Sequence, residues 1–372
     1  MDRGARETGG LDPVRDRSRS DGARRDRRWP NGKPFRDGST GDGVAADRGG
    51  ATYAALDLGT NNCRLLVARP AGHSFRVIDA FSRIIRLGEG VSGTGMLSKA
   101  AVARAIDALG VCRDKMRNRG VTRARLIATE ACRAAGNGAA FQQEVRDKLG
   151  LDLEIIGRDT EAALAATGCT PLIDREARGV ILFDIGGGSS EIVRLGPSEN
   201  VQHGPPKPAI QAWASLPVGV VTLAERHGGV HITRDLYEVM VQEVTGLMTS
   251  FIASAGTDID GLHMLGTSGT VTTVAGVHLD LSRYDRRRVD GLWMNNEEIT
   301  QVVDRLIDMT YEQRAANPCI GNERADLVLA GCAILEAIRR AFPCPRLRVA
   351  DRGLREGILV ELMRADGAWG NA

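Results

Sequence analysis

The sequence predicts an α/β protein of two lobes that face each other across a cleft. Three observations carry this. An acid-tipped strand, turn and strand occurs twice, at residues 54–67 and 181–193, and the aspartates Asp57 and Asp184 lie 127 residues apart, a domain-sized interval. Around the two copies, short branched apolar runs alternate with amphipathic stretches of helical period. The chain has 372 residues and is 42% hydrophobic, enough for two packed cores.

Residues 1–50 hold 12 Lys/Arg, 9 Asp/Glu and 10 glycines, and after Met1 their large apolar residues are Leu11, Val14, Trp29, Phe35 and Val44. So few cannot offset the entropy of ordering the chain, and a disordered, solvated tail is expected. The tail carries +3 of a total charge of +2, which leaves the rest at −1 and implies no basic surface for a specific nucleic acid. No apolar run is long enough for a signal peptide or a membrane span. Seven cysteines without a Cys-x-x-Cys pair point to reduced core thiols, and a cytoplasmic protein is expected.

The first lobe, assigned to residues 51–172, opens with the hairpin at 54–67 and continues through strands at 73–80 and 81–87. Gly88-Glu89-Gly90-Val91-Ser92-Gly93 then has the Gly-x-Gly-x-x-Gly spacing. The acids about 20 residues on, Asp107 and Asp114, fall inside a helix rather than ending a second strand, so dinucleotide binding is not supported. Ser98 caps that helix, which runs to Arg119 with Val102, Ile106 and Leu109 on one face and stops at Gly120. A strand at 124–129 leads into Glu130-Ala131-Cys132-Arg133. Asn137 caps a helix with Phe141, Val145 and Leu149 inward, and a short strand at 153–156 precedes a helix capped by Asp159. Pro171 within the polar run 169–178 marks the hinge. The second lobe, 173–366, holds the hairpin at 181–193, a polar loop at 197–208, a strand at 209–216, amphipathic helices at 233–255 and 296–309, and a long apolar helix at 327–341. Arg286-Arg287-Arg288 reads as a solvated loop and residues 367–372 as a tail.

The chemistry concentrates in the turns. Gly186, Gly187 and Gly188 lack Cβ, so their turn can take positive φ and aim several N–H groups at one anion, with Ser189 and Ser190 adding hydroxyls. Gly59, Thr60 and Asn61 repeat that design in the first hairpin, and Ser268, Gly269 and Thr270 crowd a third loop. Two carboxylates beside a phosphate repel it. Asp57, Asp184 and Glu191 therefore make sense around a divalent cation, Mg²⁺ or Mn²⁺. Arg133, just past a strand, can hold two phosphate oxygens at once.

Asp-Leu-Gly-Thr-Asn at 57–61, Asp-Ile-Gly-Gly-Gly-Ser-Ser-Glu at 184–191 and Gly-Thr-Ser-Gly-Thr at 266–270, in this order, resemble the exopolyphosphatase/guanosine pentaphosphate phosphatase family of the actin-like, sugar-kinase-like phosphotransferase superfamily. Gly-Leu-Arg-Glu-Gly at 353–357 extends the resemblance over about residues 52–365. It implies two actin-like (ribonuclease H-like) lobes, release of terminal orthophosphate from inorganic polyphosphate and/or pppGpp, dependence on Mg²⁺, and often a homodimer. It also implies a catalytic Glu161, since residues 155–164 resemble Ile-Ile-Ser-Gly-x-Glu-Glu-Ala-Arg-Leu, with Asp184 and Glu191 beside it. Gly157 and Arg158 stand in place of Ser-Gly, Thr160 in place of the first acid and Ala163 in place of the arginine. No His-Asp dipeptide occurs, so the metallophosphatase module of longer members is not expected. Two other functions fit the same fold: a small-molecule kinase, which would need an acceptor site and an adenosine pocket, and a non-catalytic polyphosphate or alarmone sensor, which the changes at Thr160 and Ala163 leave open.

Overall fold

The computed structural model describes residues 51–199 and 204–369. The tail expected at 1–50 lies outside them. The first sheet forms from β1 (Tyr53–Leu58), β2 (Asn62–Ala71), β3 (Ser74–Ile84), β4 (Arg123–Ala128) and β5 (Glu154–Ile155), with α1 (Val91–Thr94), α2 (Lys99–Asn118), α3 (Glu130–Ala134) and α4 (Gly138–Leu149) between them. Its order is β3-β2-β1-β4-β5. The hairpin strands are antiparallel and β4 and β5 run parallel to β1. β1 lies between two neighbours under helices on both faces, and its run Tyr-Ala-Ala-Leu is accordingly buried throughout.

After α5 (Arg158–Cys169) the pattern recurs in β6 (Gly179–Ile185), β7 (Ser190–Glu199), β8 (Lys207–Leu216), β9 (Leu262–Thr267), β10 (Trp293–Asn295) and β11 (Arg346–Ala350). The order β10-β11-β9-β6-β7-β8 repeats the first sheet's arrangement, with β10 as an added edge strand. Helices α6 (Val220–His227), α7 (Arg234–Leu247), α8 (Thr249–Ala255), α9 (Ser268–His278), α10 (Arg286–Val289), α11 (Asn296–Asp308), α12 (Tyr311–Ala316), α13 (Val328–Ala341) and α14 (Leu354–Ala365) complete the described chain. Most of the second lobe's helices bury one apolar core around Phe183, Met264 and Ile334.

Several sequence expectations need correction. The helix expected over 233–255 breaks at Met248, whose side chain is buried between α7 and α8. Asn137 flanks α4 without capping it, because its amide is spent on Leu97, accepting from N at 2.8 Å and donating to O at 3.0 Å. Gly157, not Asp159, is the N-cap of α5; Asp159 sits in the first turn, where the helix dipole favours an acid.

The lobe boundary also moves. α14 packs on β1 and α5, so the last helix of the expected second lobe joins the first sheet's core with Tyr53, Ala55, Leu66 and Ile127. Trp369, expected in a tail, is buried there, and its indole N–H donates to Ser74 O at 2.8 Å. The α5–α14 crossing is close enough to need glycine: a Cβ on Gly168 would meet Gly353 O at 1.9 Å, and one on Gly357 would meet Leu164 O at 1.9 Å. Gly357→Ala must therefore push two backbones apart. The expected cost is at least about 2 kcal/mol, read as a lower urea midpoint at unchanged m-value; a parent-like midpoint would contradict this close crossing.

Candidate active site

Each lobe offers the turn of its first hairpin to the other. In the first sheet β1 delivers Asp57 and pairs it across the ladder with Arg64 of β2; in the second, β6 delivers Asp184 and pairs it with Glu191 of β7. The partner stands seven residues after the aspartate in both, with opposite charge. The turns touch: a Cβ on Gly187 would lie 2.9 Å from Thr60 Cβ, and one on Gly188 2.9 Å from Thr60 Oγ1. Close approach, not backbone sign, is what requires glycine here. None of Gly186, Gly187 and Gly188 takes the positive φ that the sequence suggested, and the left-handed non-glycine residue lining the cleft is Ser268, at φ 76°, opening α9.

Asp57, Asp184, Glu161 and Glu191 all line one cleft of about 670 Å³, together with Gly59, Thr60, Asn61, Gly186, Gly187, Gly188, Ser189, Ser268, Gly269 and Thr270. Among the described residues, the amides of Thr60, Asn61, Gly187 and Gly188 have no hydrogen-bond acceptor. Gly59 N–H instead closes its own turn onto Asn62 O at 2.9 Å. The Ser268 hydroxyl donates to Asp184, and those of Ser189 and Ser215 donate to Glu191 at 2.9 and 2.8 Å.

Two expected phosphate ligands face elsewhere. Ser190 is fully buried off the cleft and donates to Val218 O at 2.7 Å. Arg133 is already engaged: it donates to Glu130, to Ile156 O at 2.7 Å and to Glu161 at 3.2 Å through both terminal nitrogens. It holds the glutamate instead of lying open to a phosphate.

Sequence reasoning missed the free cations. Arg64, Arg324 and Arg355 line the cleft, and among the described residues none of their three guanidinium groups makes a hydrogen bond or ion pair. Burial pushes the Arg355 and Arg324 guanidinium pKa values down from the usual arginine range. Unpaired charge in a half-buried cleft is costly, and an anionic ligand relieves it. The signal for Arg64 was its seven-residue offset from Asp57, the place Glu191 fills in the second copy. Arg286, expected in a solvated loop, pairs with Glu356 at 3.0 Å on the cleft wall.

The carboxylates are held in their protonated direction. Burial pushes Asp57 up to about 6 against the pull of Arg64 and Arg355. Burial, then Glu191, raises Glu161, while Arg133 counters. Burial, then Asp184, raises Glu191; burial also raises Asp184. Among the described residues no three His, Cys, Asp or Glu side chains converge to hold a metal ion, so the expected trio of Asp57, Asp184 and Glu191 is not preformed. A pair of carboxylates still suits Mg²⁺, which takes one or two of them together with waters and phosphate oxygens. The buried Asn61 Oδ1 has no hydrogen-bond partner and adds an oxygen acceptor at the same turn.

The Gly-x-Gly-x-x-Gly loop ties the first lobe to the second. Gly90 N–H donates to Glu225 of the second lobe at 2.9 Å, and the Ser92 hydroxyl donates to the same carboxylate. Beside it Arg86 forks onto Asp326 at 3.0 and 3.1 Å. Two polar ties thus cross between the lobes.

The model of the Ppx/GppA phosphatase family matches residues 66–366. This chain belongs to that family. It is 30% identical over 328 residues to exopolyphosphatase 2 of Mycobacterium tuberculosis (strain CDC 1551 / Oshkosh), covering 83% of this chain and 98% of that protein. It is 25% identical to the guanosine-5'-triphosphate,3'-diphosphate pyrophosphatase of Photobacterium profundum, covering 84% of this chain and 59% of that longer protein. The crystal structure of the Aquifex aeolicus Ppx/GppA family member superposes with a TM-score of 0.71 at 26% identity, over 87% of this chain and 99% of that one. The two-lobed, actin-like fold is that of the family.

The raised Asp57 pKa has a stability consequence. The folded value, about 6, lies above the ordinary aspartate value of 3.8, so folding takes up a proton and stability declines as pH rises between the two. With metal chelated, Asp57→Asn should be more stable than the parent at pH 7.5, by roughly 3 kcal/mol at most, and the gain should shrink at pH 4.5. Thermal melts at both pH values check this; a gain independent of pH would show that Asp57 is not held protonated.

Proposed function

We propose that this chain is a phosphoanhydride hydrolase that releases terminal orthophosphate from inorganic polyphosphate and/or pppGpp. One observation carries the reading: two turns with unbonded amides meet in a cleft that also holds three unpaired arginines and a buried glutamate. The amides fit the terminal phosphoryl group, and Arg64, Arg324 and Arg355 fit the anionic chain behind it. The names of the Mycobacterium and Photobacterium relatives support polyphosphate and pppGpp respectively.

Water attacks the terminal phosphorus in line, a new P–O bond forms, and the anhydride P–O bond breaks. In its ionised form Glu161, held in place by Arg133, takes the proton of the attacking water. The turn amides meet the charge that builds on the transferred group and the leaving oxygen. Asp57 and Asp184 would hold Mg²⁺, which supplies further positive charge at those oxygens when bound. Contact between the lobes limits access of other water. Seven buried, free cysteines support a reducing compartment, which we take to be the cytoplasm. Among the described residues no helix is long and apolar enough to cross a membrane.

Glu161→Gln is expected to lower kcat on both substrates by about 10²–10⁴-fold while polyphosphate binding persists. Parent-like turnover would remove Glu161 from the chemistry, and binding without phosphate release by the parent would make the protein a sensor. Arg355→Gln is expected to raise KM for polyphosphate by about tenfold at low salt, with a smaller difference from the parent at higher salt; an unchanged KM would place the substrate elsewhere.

A further inference from the structure

The Arg133–Glu161 pair is one end of a longer chain of charge. Arg133 meets Glu161 at 3.2 Å but lies nearer to Glu130, which its Nε reaches at 3.0 Å. Glu130 has a second suitor. Arg158, three residues before Glu161 on the first turn of α5, places Nη2 2.9 Å from Glu130 Oε1 and Nε 3.3 Å from Oε2. The order is Arg158, Glu130, Arg133, Glu161, with opposite charges alternating and the two inner groups each serving two partners. Glu130, Arg133 and Glu161 have side chains 14%, 20% and 13% exposed, whereas Arg158 is 42% exposed at the outer end.

We propose that Arg158 and Glu130 are positioning residues for Glu161: by occupying Glu130 Oε1, Arg158 leaves Arg133 with donors for Glu161. A half-buried carboxylate deprived of one partner takes more from the other. Without Arg158, both oxygens of Glu130 turn to the Arg133 fork, which is anchored at Ile156 O and can pivot towards Glu130. The long contacts to Glu161 open first. Glu161 then loses its fixed orientation toward the water, while the turns and arginines that bind substrate are untouched. This inference rests on the reading of Glu161 as the proton acceptor.

A double-variant cycle tests it, with orthophosphate release from polyphosphate as the assay and thermal melts confirming that each variant folds. Arg158→Gln should lower kcat about tenfold with KM within about twofold of the parent. Adding Glu130→Gln removes the competitor for Arg133, so Arg158→Gln/Glu130→Gln should recover to within about threefold of the parent kcat. Arg158→Lys keeps one contact to Glu130 and should fall between the parent and Arg158→Gln. A network that merely glued the fold would behave oppositely, the second substitution making the first worse. A double variant no faster than Arg158→Gln, or a parent-like Arg158→Gln, overturns the proposal. Glu161→Gln runs alongside: if it keeps turnover, the proton-acceptor reading fails and takes this inference with it; if it is inactive and the double variant does not recover, this inference alone fails.

Discussion

The contact between Thr60 and the backbone of Gly187 and Gly188 fixes where everything else in this molecule goes. Two hairpin turns from separate sheets can meet this closely only if one side lacks Cβ atoms, and only if each β-strand ahead of its turn points into the same gap. β1 and β6 do so, and each therefore delivers an aspartate to a shared, poorly hydrated space. The helices and outer strands bury the two sheets so that these turns stay put.

Within that space the charge is unresolved by the protein alone. Four acids are pushed towards neutrality while three arginines stay unpaired, although ion pairs between the two sets would be electrostatically easy. Groups kept apart in this way suit the polyanion and the divalent cation proposed above, partners of both signs at once. A site built to satisfy itself would have spent these charges on stability. Of the four acids, Glu161 is the one with an ion-pair partner among the described residues, which suits a group proposed to be aimed rather than merely charged.

Much of this was legible in the chain. The repeated Asp-apolar-Gly grammar gave the duplicated sheets, and alternation and helical period gave most elements, because these depend on near neighbours. What eluded sequence reasoning depends on long-range contact. The glycines of 186–188 looked like conformational hinges, yet their function is set by Thr60, over 120 positions away. Arg133 looked open to a ligand because Glu130 and Glu161 are brought to it only by folding. Arg64 sat in plain view inside a strand, where a charged residue reads as solvent-facing unless the seven-residue offset of the second hairpin is laid over the first. The return of α14 to the first sheet had no local signature at all beyond Gly357, whose missing side chain makes sense only against Leu164.

That return has a mechanical meaning. The lobes are connected by two covalent passages, one at each side of α5 and α14, which cross backbone to backbone at Gly168 and Gly357. A body joined twice along one line swings like a book about its spine, and sliding or twisting is suppressed. The Glu225 and Arg86 ties join the same two lobes through side chains. Relative movement of the lobes is thereby narrowed towards one angular coordinate.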